Sequence, residues 1–414
     1  MTPDRIREGI AAVLPEARDF LCDLIRCPST PGCERDAMRL ALGGFKRCAS
    51  RATRIPLDDA LRNDPDYSTP IPDIRYKGRF NVRAVSKGTG GGPTVLFNTH
   101  LDVVPPSEDM AEPWNPRIEG TVVHGRGACD AKGQAATIWL VFRALQQLGI
   151  RLKGDLVAHI VVEEENGGNG TLAMARRGEK ADACIVLEPT EQRILTSIRG
   201  AVWFRLVCTG KAGHSGQAGQ TRSALLLARD AMAVLERYHA ELLAASRGFP
   251  LFDGYPNPMP ITFGSLQAGN WPASAPSKAV LMGVLGLLPN KTHQQVQAEM
   301  SAALAAGLGA DAMHNVELTF LYRHDSSVLE PSHEVPQALL QSSRKLGAPT
   351  EIAGMTASCD AWFYNNQLRI PSLVYGPGSL KVAHSRQEQI DLNDVAAAAC
   401  VLVDFLTGYS GVTE

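Results

Sequence analysis

From residue 94 onward, the chain alternates short apolar runs with longer stretches of helical spacing. The runs TVLFNTHLDVV, DLVAHIVVEEE and ACIVLE are separated by AATIWLVFRALQQLG and TLAMARR. A strand that is apolar on both faces must be covered on both sides, as strands of parallel sheets are by their crossover helices. The pattern therefore predicts an α/β domain with a largely parallel sheet flanked by helices.

This pattern stops at residue 198 and returns after residue 323. Residues 200–208 alternate apolar and polar side chains, and they begin an order of strand, helix, strand, helix, strand. Such an order is typical of an α+β domain. We therefore predict one domain built from residues 1–197 and 324–414, with residues 198–323 inserted as a second domain.

The composition excludes several classes of protein. Lys and Arg total 41 and Asp and Glu total 43, a net charge of −2 that gives no attraction for nucleic acid or anionic lipid. No run reaches the roughly 20 apolar residues of a membrane span, and the charged N-terminal residues do not resemble a signal peptide. The nine cysteines lack the spacing of a disulfide framework. We expect a cytoplasmic protein that binds a small molecule, with no nucleic-acid or membrane partner.

A histidine and an aspartate end the first of the apolar runs. Positions i and i+2 of a strand point to the same side, so His100 and Asp102 face one place. Asp102 can then select the ring nitrogen of His100 that is free to bind a metal ion. A buried polar pair without a metal is the alternative interpretation.

Three consecutive acids, Glu163 to Glu165, follow the apolar run LVAHIVV. Neighbouring negative charges at a buried strand end cost free energy unless cations neutralise them or one takes up a proton. One carboxylate would bind metal while its neighbour accepts a proton from the attacking water. A solvated acidic loop is the alternative interpretation.

Three further polar residues are expected at the same edge of the sheet. Glu188 ends another strand, while Asp130 and His384 lie in glycine-rich loops, and ligand sites of parallel sheets lie beyond the carboxyl ends of the strands. With His100 and Glu165 they form a set of two imidazoles and three carboxylates, which suits Zn²⁺ and also accepts Co²⁺ or Mn²⁺. If Asp130 bridges, each of two ions receives three ligands. Two such ions favour amide hydrolysis.

Six motifs now identify a family resemblance: NTHLDVVP, GRGACDAKG, EEENGGNGT, VLEPT, GKAGHSG and YGPGSLKVAHSRQE. The chain resembles the metal-dependent deacylases and exopeptidases that include acetylornithine deacetylase, succinyl-diaminopimelate desuccinylase, aminoacylase and the glutamate-releasing carboxypeptidases. The resemblance implies a dizinc-exopeptidase-like fold whose inserted domain is a lid and the contact of a homodimer. It also implies a hydrolase for the amide bond of a small N-acyl amino acid or related metabolite.

The resemblance assigns roles to the polar residues. His100 and Glu188 would bind one zinc ion, Glu165 and His384 the other, and Asp130 would bridge the two. Asp102 would orient His100, and Glu164 would be the general base that activates a metal-bridging water. His214 would reach from the lid into a partner's active site to stabilise the oxyanion.

Four more residues are expected beside the substrate. Arg199 matches a family Arg-Gly pair and would bind a substrate carboxylate, although a surface cation at a strand start is the alternative. Gly376 and Gly378 would shape a loop close to the ligand. Asp360 occupies a family position near the metal ions and would orient its neighbours.

The sequence also departs from the family. It has Gly286 where several deacylases have Arg, Ser274 where they have Asn, and a longer segment before the first metal motif. The longer segment, together with GACDAKGQ where Met and a second Gly are common, resembles a branch that contains predicted desuccinylases and a formyl-aminopyrimidine deformylase. The second candidate is therefore hydrolytic loss of a formyl or amino group from an aromatic or heteroaromatic amine. A non-catalytic binding protein on the same fold is the non-enzyme alternative, and an unrelated dizinc aminopeptidase would use similar ligands.

Overall fold

The computed structural model describes residues 1–217, 219–348 and 351–413. The helices, numbered along the chain, are α1 (Pro3–Ile25), α2 (Arg35–Lys46), α3 (Lys132–Gln147), α4 (Asn169–Ala175), α5 (Ala224–Ala245), α6 (Pro250–Asp253), α7 (His293–Leu308), α8 (Ala310–Met313), α9 (Glu334–Lys345) and α10 (Leu392–Tyr409). The strands are β1 (Arg51–Pro56), β2 (Phe80–Ser86), β3 (Val95–His100), β4 (Arg117–Glu119), β5 (Val122–His124), β6 (Leu156–Val161), β7 (Ala183–Val186), β8 (Ile194–Ile198), β9 (Gly200–Thr209), β10 (Gly213–His214), β11 (Ile261–Ala268), β12 (Ser274–Ala275), β13 (Lys278–Leu287), β14 (Val316–His324), β15 (Ser327–Val328), β16 (Ile352–Met355), β17 (Ser372–Val374) and β18 (Gln389–Asp391).

The large sheet has the strand order β1-β2-β6-β3-β7-β17-β8-β15, with β16 paired to β8. Its central neighbours β6, β3, β7 and β17 are parallel to one another. Antiparallel pairs lie toward the edges, between β1 and β2, β2 and β6, and β8 and β15. The expected fold class, a largely parallel mixed sheet, is confirmed.

Apolar layers cover both faces of this sheet. Along β3, Val95 and Phe97 belong to the core cluster beneath α1, α3 and α10, whereas Leu96 belongs to a cluster on the opposite face. This alternation follows from the period of two in a strand. Double coverage explains why the central strands are continuously apolar in the sequence.

Helix α10 is long and apolar enough to cross a membrane by length and composition, with a mean hydropathy of 1.3. It packs against α1, α3 and α9, and Val401 and Leu402 are fully buried there. Its hydrophobicity is that of a core helix.

A second, antiparallel sheet lies between Gly200 and His324 and ends one residue beyond the predicted insertion of residues 198–323. Its strand order is β11-β13-β9-β14, and α5 and α7 pack on it around a separate apolar core. The sequence predicted β9, β13 and β14 but missed β11. Most side chains of β11 are exposed, so this strand lacks the apolar alternation that reveals a half-buried strand.

The parallel strands bring distant segments to one edge of the large sheet. Strand β3 ends at His100, β6 ends at Val161 and β7 ends at Val186, and these three strands are neighbours. The residues that follow each strand therefore emerge side by side, which is where parallel sheets place ligand sites.

Candidate metal centre

Asp130 lies between two imidazoles at this edge. His100 is buried, and its Nε2 is 3.1 Å from Asp130 Oδ1. His384 Nε2 is 3.2 Å from Asp130 Oδ2. Each oxygen of one carboxylate thus faces a different histidine, which is the arrangement required of a bridging ligand.

The two remaining predicted ligands complete the cluster. Glu165 Oε1 is 3.0 Å from His384 Nε2, and Glu188 Oε1 is 3.7 Å from His100 Nε2. Ligand atoms of His100, Asp130 and Glu165 all lie within 4.8 Å of one another. The structure therefore brings together the five side chains that the sequence predicted as metal ligands.

The electrostatics of the cluster suit a cation. Burial, together with the nearby Asp130 carboxylate, raises the pKa of Glu165 and of Glu188 to about 7. Burial alone would lower the pKa of His384, but hydrogen bonds to Asp130 and Glu165 raise it to about 11. Buried Glu188 Oε1 has no hydrogen-bond donor among the described residues. Carboxylate and imidazole groups whose negative charge is not fully balanced are suitable ligands for Zn²⁺, Co²⁺ or Mn²⁺.

Asp102 ties the end of β3 to the acidic segment. Its two carboxylate oxygens accept the backbone N–H groups of Glu164 and Glu165, at 3.1 and 3.0 Å. His100 Nδ1 lies 2.9 Å from the carbonyl oxygen of Asp102 and 3.5 Å from its carboxylate. Both oxygens can only accept, so the proton sits on Nδ1 and Nε2 is left free for a metal ion.

Glu164 is half-buried beside the ligands. Burial raises its pKa well above the ordinary value. The nearby His100 lowers this pKa, whereas the Glu188, Asp360 and Glu165 carboxylates raise it. A carboxylate that takes up a proton readily is suited to general-base catalysis.

Glu163 faces away from the ligands and into the protein. It is buried, forms an ion pair with Arg79, and accepts hydrogen bonds from Tyr76 Oη at 2.8 Å and Asn169 Nδ2 at 2.9 Å. The three consecutive acids are thus divided between a structural ion pair and the metal centre.

Sequence reasoning missed a second buried ion pair, between Arg126 and Glu388. Glu388 also accepts the backbone N–H of Cys129 at 3.2 Å and of Asp130 at 3.0 Å. The pair therefore holds the backbone of the bridging residue in place. Both residues lie within the quoted motifs, so an acid four positions after His384 was the available signal.

Three of the residues predicted beside the substrate, Asp360, Gly376 and Gly378, pack close to the five candidate ligands. Buried Asp360 accepts a hydrogen bond from Thr171 at 2.6 Å through Oδ2, and its Oδ1 has no partner among the described residues. A Cβ at Gly376 would lie 2.3 Å from Gln134 Oε1, and one at Gly378 would lie 2.6 Å from a cysteine sulfur. The loop with these glycines therefore packs tightly against the segment that carries Asp130.

Arg199 directly precedes β9, and His214 lies on β10. Arg199 is half-buried and donates to the carbonyl oxygens of Thr356 and Gly200, and no ion pair to it occurs within the described ranges. His214 is exposed on β10, directly across from Ser274 on β12, and its Nδ1 accepts the Gly216 N–H at 3.0 Å. It makes no contact with the five ligands in the part of this chain that the structure describes.

Comparison with known proteins identifies the family of this chain. The model of the family described as Peptidase family M20/M25/M40 matches residues 96–408. The chain belongs to this family. The predicted resemblance to metal-dependent deacylases and exopeptidases is therefore confirmed, and the M20 chain is a metal-dependent amidohydrolase.

Relatives of this M20 protein differ in substrate. It is 26% identical over 378 residues to N-formyl-4-amino-5-aminomethyl-2-methylpyrimidine deformylase of Bacillus subtilis, covering 84% of this chain and 87% of the relative. It is 28% identical over 366 residues to succinyl-diaminopimelate desuccinylase of Methylocella silvestris, covering 83% and 87%. The solved structure of the Saccharomyces cerevisiae dipeptidase Dug1p superposes with a TM-score of 0.82 at 14% identity, covering 99% and 98%.

Proposed function

We propose that this M20 protein is a dinuclear zinc hydrolase that cleaves the amide bond of a small N-acyl amino acid or related metabolite. The observation that carries the proposal is the Asp130 carboxylate, which faces His100 with one oxygen and His384 with the other. Glu164 lies beside this arrangement as the candidate base.

The chain offers two groups of three ligands that share Asp130. His100 and Glu188 would hold one ion with it, while Glu165 and His384 would hold the other. Bound there, divalent cations lower the pKa of water and polarise a substrate carbonyl. Cobalt or manganese would suit the same donors.

Glu164 would move the proton in this reaction. Its carboxylate would take a proton from the attacking water and return it to the departing nitrogen. Burial favours its protonated form, which strengthens it as a base. Asp102 would act indirectly, because it holds the Glu164 N–H and leaves the proton of His100 on Nδ1.

Arg199 would bind a carboxylate of the substrate. Burial lowers its pKa to about 10, and no acid pairs with the guanidinium within the described ranges. Instead, it donates to the carbonyl oxygens of Thr356 and Gly200. A guanidinium has five N–H donors and pairs well with carboxylates. A Cβ at Gly286 would lie 2.8 Å from Arg199 Nη1, so a larger residue at 286 would displace this cation.

The second candidate is a deformylase or hydrolytic deaminase that acts on an aromatic or heteroaromatic amine. The similarity to the Bacillus subtilis deformylase favours it. A non-catalytic role on this fold has much weaker support, because a binding protein would not need Glu164 beside intact ligands.

A substrate panel tests these alternatives. Protein loaded with zinc is assayed against N-acetyl, N-succinyl and N-formyl amino acids, dipeptides and heteroaromatic formamides. Preferred turnover of an N-acyl amino acid supports the proposal, and preferred turnover of a formamide supports the second candidate. Bound zinc with no turnover across the panel would favour the non-catalytic role.

We also propose a homodimer formed through the lid, in which His214 serves the partner's active site. Its exposure on β10, away from the ligands of its own chain, supports this assignment. A cytoplasmic location is proposed as well, and it is supported by nine cysteines that are all free thiols.

A further inference from the structure

We propose that a cationic cleft between α2 and the loop before β2 binds a small phosphate-type oxyanion. The cleft has a volume of about 560 Å³, and its charged lining residues are Arg35, Arg39, Asp36, Arg75, Lys77 and Arg79. None of these residues is a predicted ligand or substrate contact of the metal centre. The inference therefore stands independently of the proposed function.

The cleft carries unbalanced positive charge. Arg35, Arg75 and Lys77 are exposed, and their side chains form no ion pair or hydrogen bond within the described ranges. The acid Asp36 pairs with Arg39 at 3.4 Å, an exposed contact of little strength. Since the whole chain has a net charge of −2, this local excess of three unpaired cations is not a general property of its surface.

The backbone brings these cations together from two separate segments. Gly78 has a φ of 79°, and a Cβ there would lie 3.1 Å from Arg35 Nη2. The chain therefore turns at Gly78 directly against the guanidinium from α2. Because Arg75 and Lys77 immediately precede this turn, they line the same cleft as Arg35.

The amino end of α2 borders the cleft. Glu34 occupies the N-cap position, but its side chain does not cap the helix. Instead, its carboxylate accepts from Arg79 Nη2 at 2.6 Å and from the Gly32 N–H at 2.8 Å.

Arg79 forms the floor of the cleft and limits what the cleft can hold. It is buried, and the carboxylates of Glu34 and Glu163 already balance its charge. The binding charge thus comes from Arg35, Arg75 and Lys77. Three cations around a concave site match the charge of a compact dianion. An arginine can also bind two oxygens of one phosphate through two parallel hydrogen bonds. A flat anionic membrane would reach a recessed site less well.

Equilibrium dialysis with inorganic phosphate tests the site. Metal-loaded wild type is compared at constant ionic strength with the variant R35Q/R75Q/K77Q and with the charge-matched control K46Q/R229Q/R237Q. A metal centre that also binds phosphate contributes equally in all three proteins. We expect wild type and control to bind one more phosphate per chain, at millimolar concentrations, than R35Q/R75Q/K77Q, whose affinity at this site falls about tenfold or more.

Two further results would decide the chemistry of the ligand. Equal phosphate binding by all three proteins overturns the proposal. Phenyl phosphate binding that follows the same pattern extends the site to phosphate monoesters. If only phosphatidylserine vesicles distinguish R35Q/R75Q/K77Q from the control, the cleft is part of a membrane-binding surface and the small-anion proposal is wrong.

Discussion

The two oxygens of the Asp130 carboxylate face different imidazoles, with Oδ1 3.1 Å from His100 Nε2 and Oδ2 3.2 Å from His384 Nε2. The backbone N–H of the same residue is held by Glu388 at 3.0 Å. One side chain thus joins two segments that lie far apart in the chain. The position of Asp130 therefore controls both halves of the proposed metal centre.

Replacing Asp130 with Asn should remove metal from both halves of the centre. An amide nitrogen donates hydrogen bonds, so it cannot replace a carboxylate oxygen as a ligand. We expect metal affinity to fall by more than the roughly 10- to 100-fold that loss of an outer-shell partner costs. Elemental analysis after dialysis measures this, with the exposed Asp109→Asn variant as control. Retention of two ions would show that Asp130 does not bridge.

The variant Glu164→Gln should keep its metal and lose turnover. The amide preserves the shape of the side chain but cannot accept the proton, so we expect kcat to fall by about 10²- to 10⁴-fold. Metal content and kcat are measured on the same samples, and the exposed Glu108→Gln variant should behave as wild type. Wild-type kcat in Glu164→Gln would exclude this residue as the base.

Breaking the Arg126–Glu388 pair should destabilise the protein and loosen the metal centre. Removal of either partner leaves a buried charge without compensation, which costs about 3 to 5 kcal/mol. Urea unfolding of Arg126→Met and Glu388→Leu measures the loss. The double variant R126M/E388L should recover part of the stability, because no buried charge remains. If the double variant loses as much unfolding free energy as the two single variants together, Arg126 and Glu388 do not interact.

Mixing two inactive variants tests whether His214 acts on the partner subunit. Glu164→Gln lacks the base and His214→Ala lacks the lid histidine, so each homodimer has two defective sites. In a mixed dimer one site has Glu164 together with the partner's His214, and a random mixture should regain about a quarter of wild-type activity. Separate samples that are never mixed are the control. If activity does not recover although subunit exchange is proven, His214 acts within its own chain or takes no part in the reaction.

The stability of the protein should depend on pH through Glu179. Burial would raise its pKa, but hydrogen bonds from His159 and Arg83 lower it from 4.5 to about 2. The ionised carboxylate therefore stabilises the folded state above pH 4.5, and this contribution declines as the pH falls toward 2. Allowing for solvent screening, Glu179→Gln should cost about 1 to 2 kcal/mol at pH 7. The difference in unfolding free energy from wild type should shrink at pH 4, and a constant difference would contradict this role.

Local patterns were enough to predict the fold class and the candidate ligands. The apolar runs that end at His100, before Glu163 and at Glu188 are continuous in the sequence, and adjacent parallel strands must end at one edge of a sheet. Strand β11 was missed because its mostly exposed side chains carry no such pattern. Nothing in the order of Glu163, Glu164 and Glu165 revealed that the first would turn inward to Arg79.

Periodicity and strand ends are properties of neighbouring residues, so the sequence alone determined the parallel sheet and its acidic strand ends. The partners of buried charges, in contrast, were decided only by the tertiary structure. Arg126 and Glu388 are 262 positions apart, and Arg79 reaches Glu163 across 84. Such pairs form only because packing excludes water and makes an unpaired charge costly, and that cost depends on which segments the folded chain brings together.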